Sequence, residues 1–205
     1  MATPKTTKKA PTTRGSYAKG VAKREEILTT ALEVIAKNGY RKASIRELAA
    51  AVGLSQTGLL HYFESKEELF AEILHRRDDI DGLGADLIEV ETPEQFLKVL
   101  AAVIRHNVEV PGLVQLYAQF STEATAKGHP ARPFFVERYS NYRSLVAQFI
   151  RAQQEAGALA KHLDADQIAT LLAAASDGLQ TQWMLDNSID MAKHITYLWH
   201  SLTRD

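Results

Sequence analysis

The chain has 205 residues, with 24 Lys and Arg against 25 Asp and Glu, and its formal net charge of −1 argues against a uniformly basic nucleic-acid binder. The absence of cysteine excludes disulfides, zinc–thiolate sites, iron–sulfur ligation and cysteine nucleophiles, and an apolar share of 45% excludes a disordered chain. The charge is split, however: residues 1–66 hold twelve basic and five acidic side chains, a balance of +7, while residues 67–205 hold twelve and twenty, a balance of −8. Two parts with different partners follow from that asymmetry. No apolar run is long enough to cross a bilayer and no signal-peptide core is present near the first residue, so a cytoplasmic protein is expected.

Residues 1–20 carry five basic side chains, no acid and no apolar period, and read as a flexible basic tail. From Val21 the apolar residues Ile27, Leu28, Ala31, Leu32 and Ile35 recur at helical spacing up to a stop at Asn38-Gly39. Ser44 and Glu47 form a capping box that opens a short helix with Ile45, Leu48, Ala49 and Val52 inward, and Gly53 supplies the turn. Ser55 caps a third short helix carrying Gln56 to Tyr62. Ser65 and Glu68 read as a second capping box, opening a helix to about Ile80. The stretch from Asp78 to Glu94 holds seven acids and no base, and Gly82 and Gly84 interrupt it, so it reads as a joint between domains. Thr92-Pro93 then starts a helix through Ile104, Pro111-Gly112 another through Phe120, and a long one spans about Pro133 to Ala156. Two more run from Asp164 to about Leu185 and from Ile189 to Thr203. The expected fold is all-α with about nine helices. It divides into a tail (1–20), a helix-turn-helix unit (21–66), a connecting helix and acidic linker (67–92) and a second helical domain (93–205).

Residues 44–62 have the layout of a helix-turn-helix, in which the first helix braces a second whose exposed residues enter the DNA major groove. The second helix carries suitable chemistry. Gln56 can bond adenine in pairs, Thr57 can bond a base edge or touch a thymine methyl, and Leu60 offers an apolar contact. His61 and Tyr62 reach phosphates or base edges, and Gly58 lets the backbone approach. Ser44, Arg46 and Ser55 flank the motif. Lys66 sits in the first turn of the next helix, where it opposes the helix dipole but suits a phosphate.

The stretch from Arg24 to Leu74 resembles the N-terminal domain of the TetR family of bacterial transcriptional regulators. The resemblance is carried by Asn38-Gly39-Tyr40, Ser44-Ile45-Arg46-Glu47-Leu48-Ala49, Gly53-Leu54-Ser55 and the run from His61 to Leu69. It implies DNA contacts by Ser44, Gln56, Thr57, Leu60, His61, Tyr62 and Lys66. Many members have Tyr where Leu60 stands, and the recognition-helix Gly is displaced to Gly58, so a base preference does not transfer. The Asp177-Gly178-Leu179-Gln180-Thr181-Gln182-Trp183 run resembles the C-terminal domain of choline-repressor-like members. The resemblance also implies homodimerisation through the last two helices, with Ala169, Ala173, Ala174 and Gly178 as a small-residue face and Leu198 and Trp199 as anchors. It implies further an effector site in the second domain, with Tyr117, Phe120, Tyr139, Tyr142 and Trp183 as walls and His106, Gln119, Glu123 and Arg143 as polar contacts.

One short recognition helix reads too few base pairs to be selective, so a dimer on a palindromic operator of double-stranded DNA is expected, released by a small-molecule effector. No cofactor is expected. Two other readings remain: a non-specific nucleoid-type DNA binder, which the basic tail would suit, and a helical-bundle metalloenzyme, for which Glu72 and His75 have part of the required spacing.

Overall fold

A computed structural model describes residues 13–81 and 89–204, and every regular element in it is helical. The basic residues up to 12 and the glycine-interrupted joint at 82–88 lie outside the described residues. The helices are α1 (Thr13–Asn38), α2 (Ile45–Ala51), α3 (Gln56–Leu60), α4 (Lys66–Asp81), α5 (Pro93–Glu109), α6 (Pro111–Glu123), α7 (Arg132–Glu155), α8 (Ala165–Leu185) and α9 (Met191–Thr203), with a 3₁₀ turn at Tyr40–Lys42. Nine α-helices among the described residues agree with the sequence expectation. The first begins eight residues earlier than the apolar period announces, so residues 13–20 are helical rather than part of a tail.

The sequence signals act through identifiable bonds. Ser44 accepts from the Glu47 N–H while the Glu47 carboxylate accepts from the Ser44 N–H at 2.9 Å, a complete capping box. Thr92 and Gln95 form a second one at the start of α5, with Pro93 in its first turn. The box expected at Ser65 is only half made: Ser65 accepts from the Glu68 N–H, but the Glu68 carboxylate reaches past it to the Glu64 N–H. Gly39 and Gly53 take positive φ, 82° and 68°, which non-glycine side chains rarely adopt.

Two cores form. The first gathers Ile27, Ile35, Leu48, Leu59, Phe63, Phe70 and Ile73 from α1 to α4, but it closes only when Leu116, Tyr117 and Phe120 of α6 and Phe134 and Phe135 of α7 enter it. The helix-turn-helix unit is thus completed by residues beyond 93. Tyr40 stands edge-on to Phe70 and Phe120, at 5.3 and 6.1 Å between ring centroids. Gly112 makes this junction possible, because a Cβ there would lie 2.2 Å from the Ile35 carbonyl oxygen and 2.8 Å from Gly39 Cα. The second core joins α5, α7, α8 and α9 around Phe96, which stacks on Phe149 at 4.9 Å and meets Trp199 at 4.8 Å. No helix among the described residues is long and apolar enough to cross a membrane.

Candidate DNA-reading and ligand-binding sites

The recognition segment is held from behind and open in front. Leu59 is fully buried and Phe63 nearly so, while Gln56, Thr57, Leu60 and His61 are exposed and Gly58 and Tyr62 half-buried. This follows from helical spacing: fixing Leu59 and Phe63 in the core turns Gln56, Thr57 and Leu60 outward. Helix α3 ends at Leu60 rather than at Tyr62, His61 being its C-cap and Tyr62 lying in the following turn. Ser55 caps α3 by accepting from the Gly58 N–H at 3.0 Å. Ala49 is buried where α2 meets its neighbours, while the adjacent Ala50 faces solvent. Ser44, Arg46 and Lys66 are exposed, Lys66 with its ammonium 5.4 Å from the Phe70 ring.

Two basic residues not assigned from the sequence fix this surface. Arg24 donates to the Tyr62 carbonyl at 2.5 Å, pairs with Glu68 at 3.2 Å and Glu72 at 3.5 Å, and lies over the Phe63 ring at 4.4 Å. Lys23 donates to the Val52 carbonyl at 3.1 Å. Together they lock both ends of the turn and recognition helix to α1. A Lys-Arg pair on the helix face turned towards Val52 and Tyr62 leaves no local sequence signal, because its partners stand 29 and 38 residues away.

A cavity of about 380 Å³ opens between α4, α5, α6, α7 and α8. Of the candidate lining residues, Tyr117, Tyr139 and Tyr142 face it. The others do not. Phe120 fills the first core and Trp183 the second. His106 lies on the surface 3.4 Å from Glu109, Gln119 bonds Glu123 at 2.8 Å on the exposed side of α6, and Arg143 is half-buried outside the cavity. The polar walls are residues the sequence reading passed over. Asp177 accepts a hydrogen bond from Tyr139, and Tyr117 bonds into the same group. Arg138 lies 5.1 Å from the Tyr117 ring and bonds the Asp78 carboxylate. Burial pushes the Asp177 carboxyl above its ordinary value, against the opposing pull of the Tyr139 hydroxyl and the Arg138 charge. Burial likewise raises the Tyr117, Tyr139 and Tyr142 hydroxyls, so all three stay protonated donors. A signal existed for α8: Ala169, Leu172, Ala173, Ser176 and Gln180 share one helical face, so its polar members point into an otherwise apolar wall.

The expected dimer face divides. Ala169 and Trp199 lie in the protomer's own second core, Leu198 packs half-buried against it, and Ala173 is buried on the wall of the cavity. Ala174 and Gly178 are exposed on the opposite side of α8, where Leu171 and Leu185 also stand out, the latter 86% exposed. Tyr197 on α9 is 74% exposed. Glu72 and His75, the fragment of a metal motif, part company: Glu72 pairs with Arg24, and His75 meets the Phe134 ring at 4.4 Å.

A short capped helix-turn-helix carried by a helical domain with an internal cavity defines a DNA-binding regulator that senses a ligand. Residues 27–73 match the bacterial regulatory proteins of the tetR family, and residues 92–198 match the BetI-type transcriptional repressor C-terminal domain. The probable acrEF/envCD operon repressor of Escherichia coli strain K12 is 23% identical over 180 residues, spanning 82% of this chain and 79% of that protein. The HTH-type transcriptional regulator PksA of Bacillus subtilis strain 168 is 29% identical over 167 residues, 80% of each chain. Among solved structures, a putative transcriptional regulator from Saccharomonospora viridis in complex with choline superposes with a TM-score of 0.69 at 25% identity, covering 90% of this chain and all of the other. The chain belongs to the TetR family of DNA-binding, ligand-responsive transcriptional repressors, with a C-terminal domain of the BetI type.

Proposed function

We propose that this repressor acts in the cytoplasm as a homodimer on an inverted-repeat operator and is released by a small organic cation bound in the cavity against Asp177. The observation that carries the ligand class is the Asp177 carboxylate. Its hydrogen-bond partners are tyrosine hydroxyls, and the nearby Arg138, whose charge bears on it, is bonded instead to Asp78. Tyr117, Tyr139, Tyr142 and Phe134 present ring faces and edges to the same space, and such aromatic walls attract alkylammonium groups. The complex of the Saccharomonospora viridis regulator with choline supports the same class.

The surface of α8 and α9 supports the dimer. Leu171, Ala174, Gly178 and Leu185 fall on one stripe of α8, small in the middle and apolar at the ends, and Tyr197 continues it on α9. Two such helices from each subunit form a four-helix contact that places two recognition helices on one face. Release then follows from a two-state equilibrium in which the cation prefers the conformation that misaligns the recognition helices. By linkage, operator weakens cation binding by the same factor.

Calorimetric titration with tetramethylammonium chloride, repeated in the presence of an operator selected from a random-sequence DNA pool, tests the whole reading. Saturable binding that weakens on the operator is expected. Failure to bind any alkylammonium, or equal affinity with and without DNA, overturns the cation or the coupling respectively. Sedimentation of Leu171→Glu tests the interface: a wild-type mass equal to the variant's would reject it.

A further inference from the structure

Helix α3 presents few groups to DNA, and their kind is narrow. Its five residues, Gln56 to Leu60, include no Lys or Arg, the side chains that most commonly bind guanine O6 and N7 in pairs. The serines that flank the motif are engaged: Ser44 gives its hydroxyl proton to the Glu47 carboxylate at 2.9 Å, and Ser55 caps α3 through its Oγ. The exposed cations Lys42, Arg46 and Lys66 stand outside α3, on the 3₁₀ turn, α2 and α4, where they suit phosphates. Gly58 has no side chain and Leu59 is buried. The outward face of α3 therefore reduces to Gln56, Thr57 and Leu60. Leu60 lies four residues from Gln56 and three from Thr57, so the three are neighbours on the helix surface.

Leu60 differs from the other two in chemistry. It is 40% exposed and, among the described residues from 44 to 62, is the one large aliphatic side chain left open to solvent. An aliphatic side chain laid on a base edge is favoured by one base of the four. Over the guanine acceptors, the adenine N7 and amino group or the cytosine amino group, it strips water and returns no bond. The thymine C5-methyl is the one apolar group that the major groove displays. We propose that Leu60 reads the C5-methyl of a thymine in each operator half-site, with Gln56 on an adenine one or two base pairs away, so that the core of the half-site is A·T. The separation fits, because residues four apart on a helix have Cβ atoms about 5–6 Å apart, against about 3.4 Å per base-pair step. The inference rests on the inverted-repeat reading for the number of such thymines, one per half-site, while the contact itself holds for a single site.

Replacing thymine by deoxyuridine tests the contact, since deoxyuridine pairs with adenine in the same way and lacks only the methyl. The DNA is the sequence that the protein selects from a random duplex pool, with each thymine replaced in turn and binding read by gel shift at one salt concentration. One thymine in each half-site is expected to be sensitive. Affinity should fall about fourfold for one replacement, the effect of one buried methyl group, and about fifteenfold when both half-sites are replaced. In Leu60→Ala the loss at that position is expected to vanish. The ratio of thymine to deoxyuridine affinity is the readout, so poorer folding or generally weaker DNA binding, which lowers both, does not mimic it. Undiminished binding to every deoxyuridine-substituted operator, a loss of unchanged size in Leu60→Ala, or selected half-sites with a G·C core overturns the contact. If the loss vanishes in Thr57→Ser and persists in Leu60→Ala, Thr57 is the reader and the proposal falls. A selected sequence without an inverted repeat overturns the operator reading, while one sensitive thymine in it that Leu60→Ala makes insensitive still sustains the contact. A pool that yields no preferred sequence overturns both.

Discussion

Arg138 on α7 donates to the carboxylate of Asp78 on α4, and the same guanidinium lies against Tyr117, which belongs to the hydrogen-bonded group around Asp177. Helix α4 thus contributes a wall to the ligand cavity near its C-terminus, while near its N-terminus it is bonded through Glu68 and Glu72 to Arg24, which holds the Tyr62 carbonyl. One helix runs from the cavity to the recognition segment.

Breaking the Arg138 bond should separate sensing from DNA binding. Asp78→Asn removes a charge from a half-buried pair, and a loss of about 1–3 kcal/mol is expected in urea unfolding. Operator affinity without ligand should stay within a few-fold, whereas the weakening caused by choline chloride should shrink in a gel-shift titration. A response of undiminished size would show that α4 is moved by a different contact.

Gly112→Ala tests the junction between the two units. Its Cβ would meet the Ile35 carbonyl and Gly39 Cα, both backbone, so no side chain can swing aside. Overpacking of this kind costs about 1–3 kcal/mol. The variant should melt at lower temperature, and Gly20→Ala on α1, whose Cβ meets nothing within 4 Å, is the control that should not.

The capping box at Ser44 has a pH signature. Hydrogen bonds from Ser44 hold the Glu47 carboxyl below its ordinary 4.5. The folded value being the lower one, its contribution is present above pH 4.5 and is lost as pH falls through the folded value. Glu47→Gln keeps an acceptor but does not titrate. Its stability should therefore fall less steeply than wild type on acidification below 4.5, as read by circular dichroism.

Asp177 titrates in the opposite sense. Its folded value lies above the ordinary 3.8, so its ionisation weakens the fold as pH rises through the raised value, and only the ionised form holds a cation. Asp177→Asn should leave the ligand-free protein at least as stable at neutral pH while abolishing the melting-temperature rise that choline gives the wild type. Choline affinity of the wild type should fall on acidification. Affinity independent of pH would separate Asp177 from the cation.

On the DNA side, the exposed Lys66 and Gln56 should behave differently. Lys66→Ala should weaken binding to all sequences and make the log affinity against log salt line shallower by about 1.8, at about 0.9 for each of the two subunits. Gln56→Ala should instead relax the preference at one base position by about 1–3 kcal/mol with little change in slope. Because α1 is already helical at Thr13, the contribution of the basic residues before it is measured by deleting residues 1–12 rather than the whole of 1–20.

The recognition segment was legible because its determinants are local. Ser44 with Glu47, Gly53 and Ser55 lie within a dozen residues, and each acts on its own backbone through a cap or a turn. The cavity was legible only in part. Tyr117, Tyr139 and Tyr142 share the appearance of Phe120 and Trp183, and aromatic residues at helical spacing look alike whether they fill a core or line a space. The residues expected on the dimer face divide for the same reason, since Ala169 and Ala173 differ from Ala174 and Gly178 only in which side of α8 packs on the protomer's own helices.

By itself the sequence determined the helical class, the order and approximate number of helices, the helix-turn-helix and the charge division between a basic head and an acidic body. All of these depend on period, caps and composition within a few turns of chain. Only the tertiary structure decided that α6 and α7 complete the core of the DNA-binding unit, that Arg24 braces the recognition segment, and that Asp177 faces tyrosines across a cavity tied to α4 by Arg138 and Asp78. Those relationships join residues 38 to 60 positions apart, and it is the packing of one helix against another that turns each side chain towards its partner.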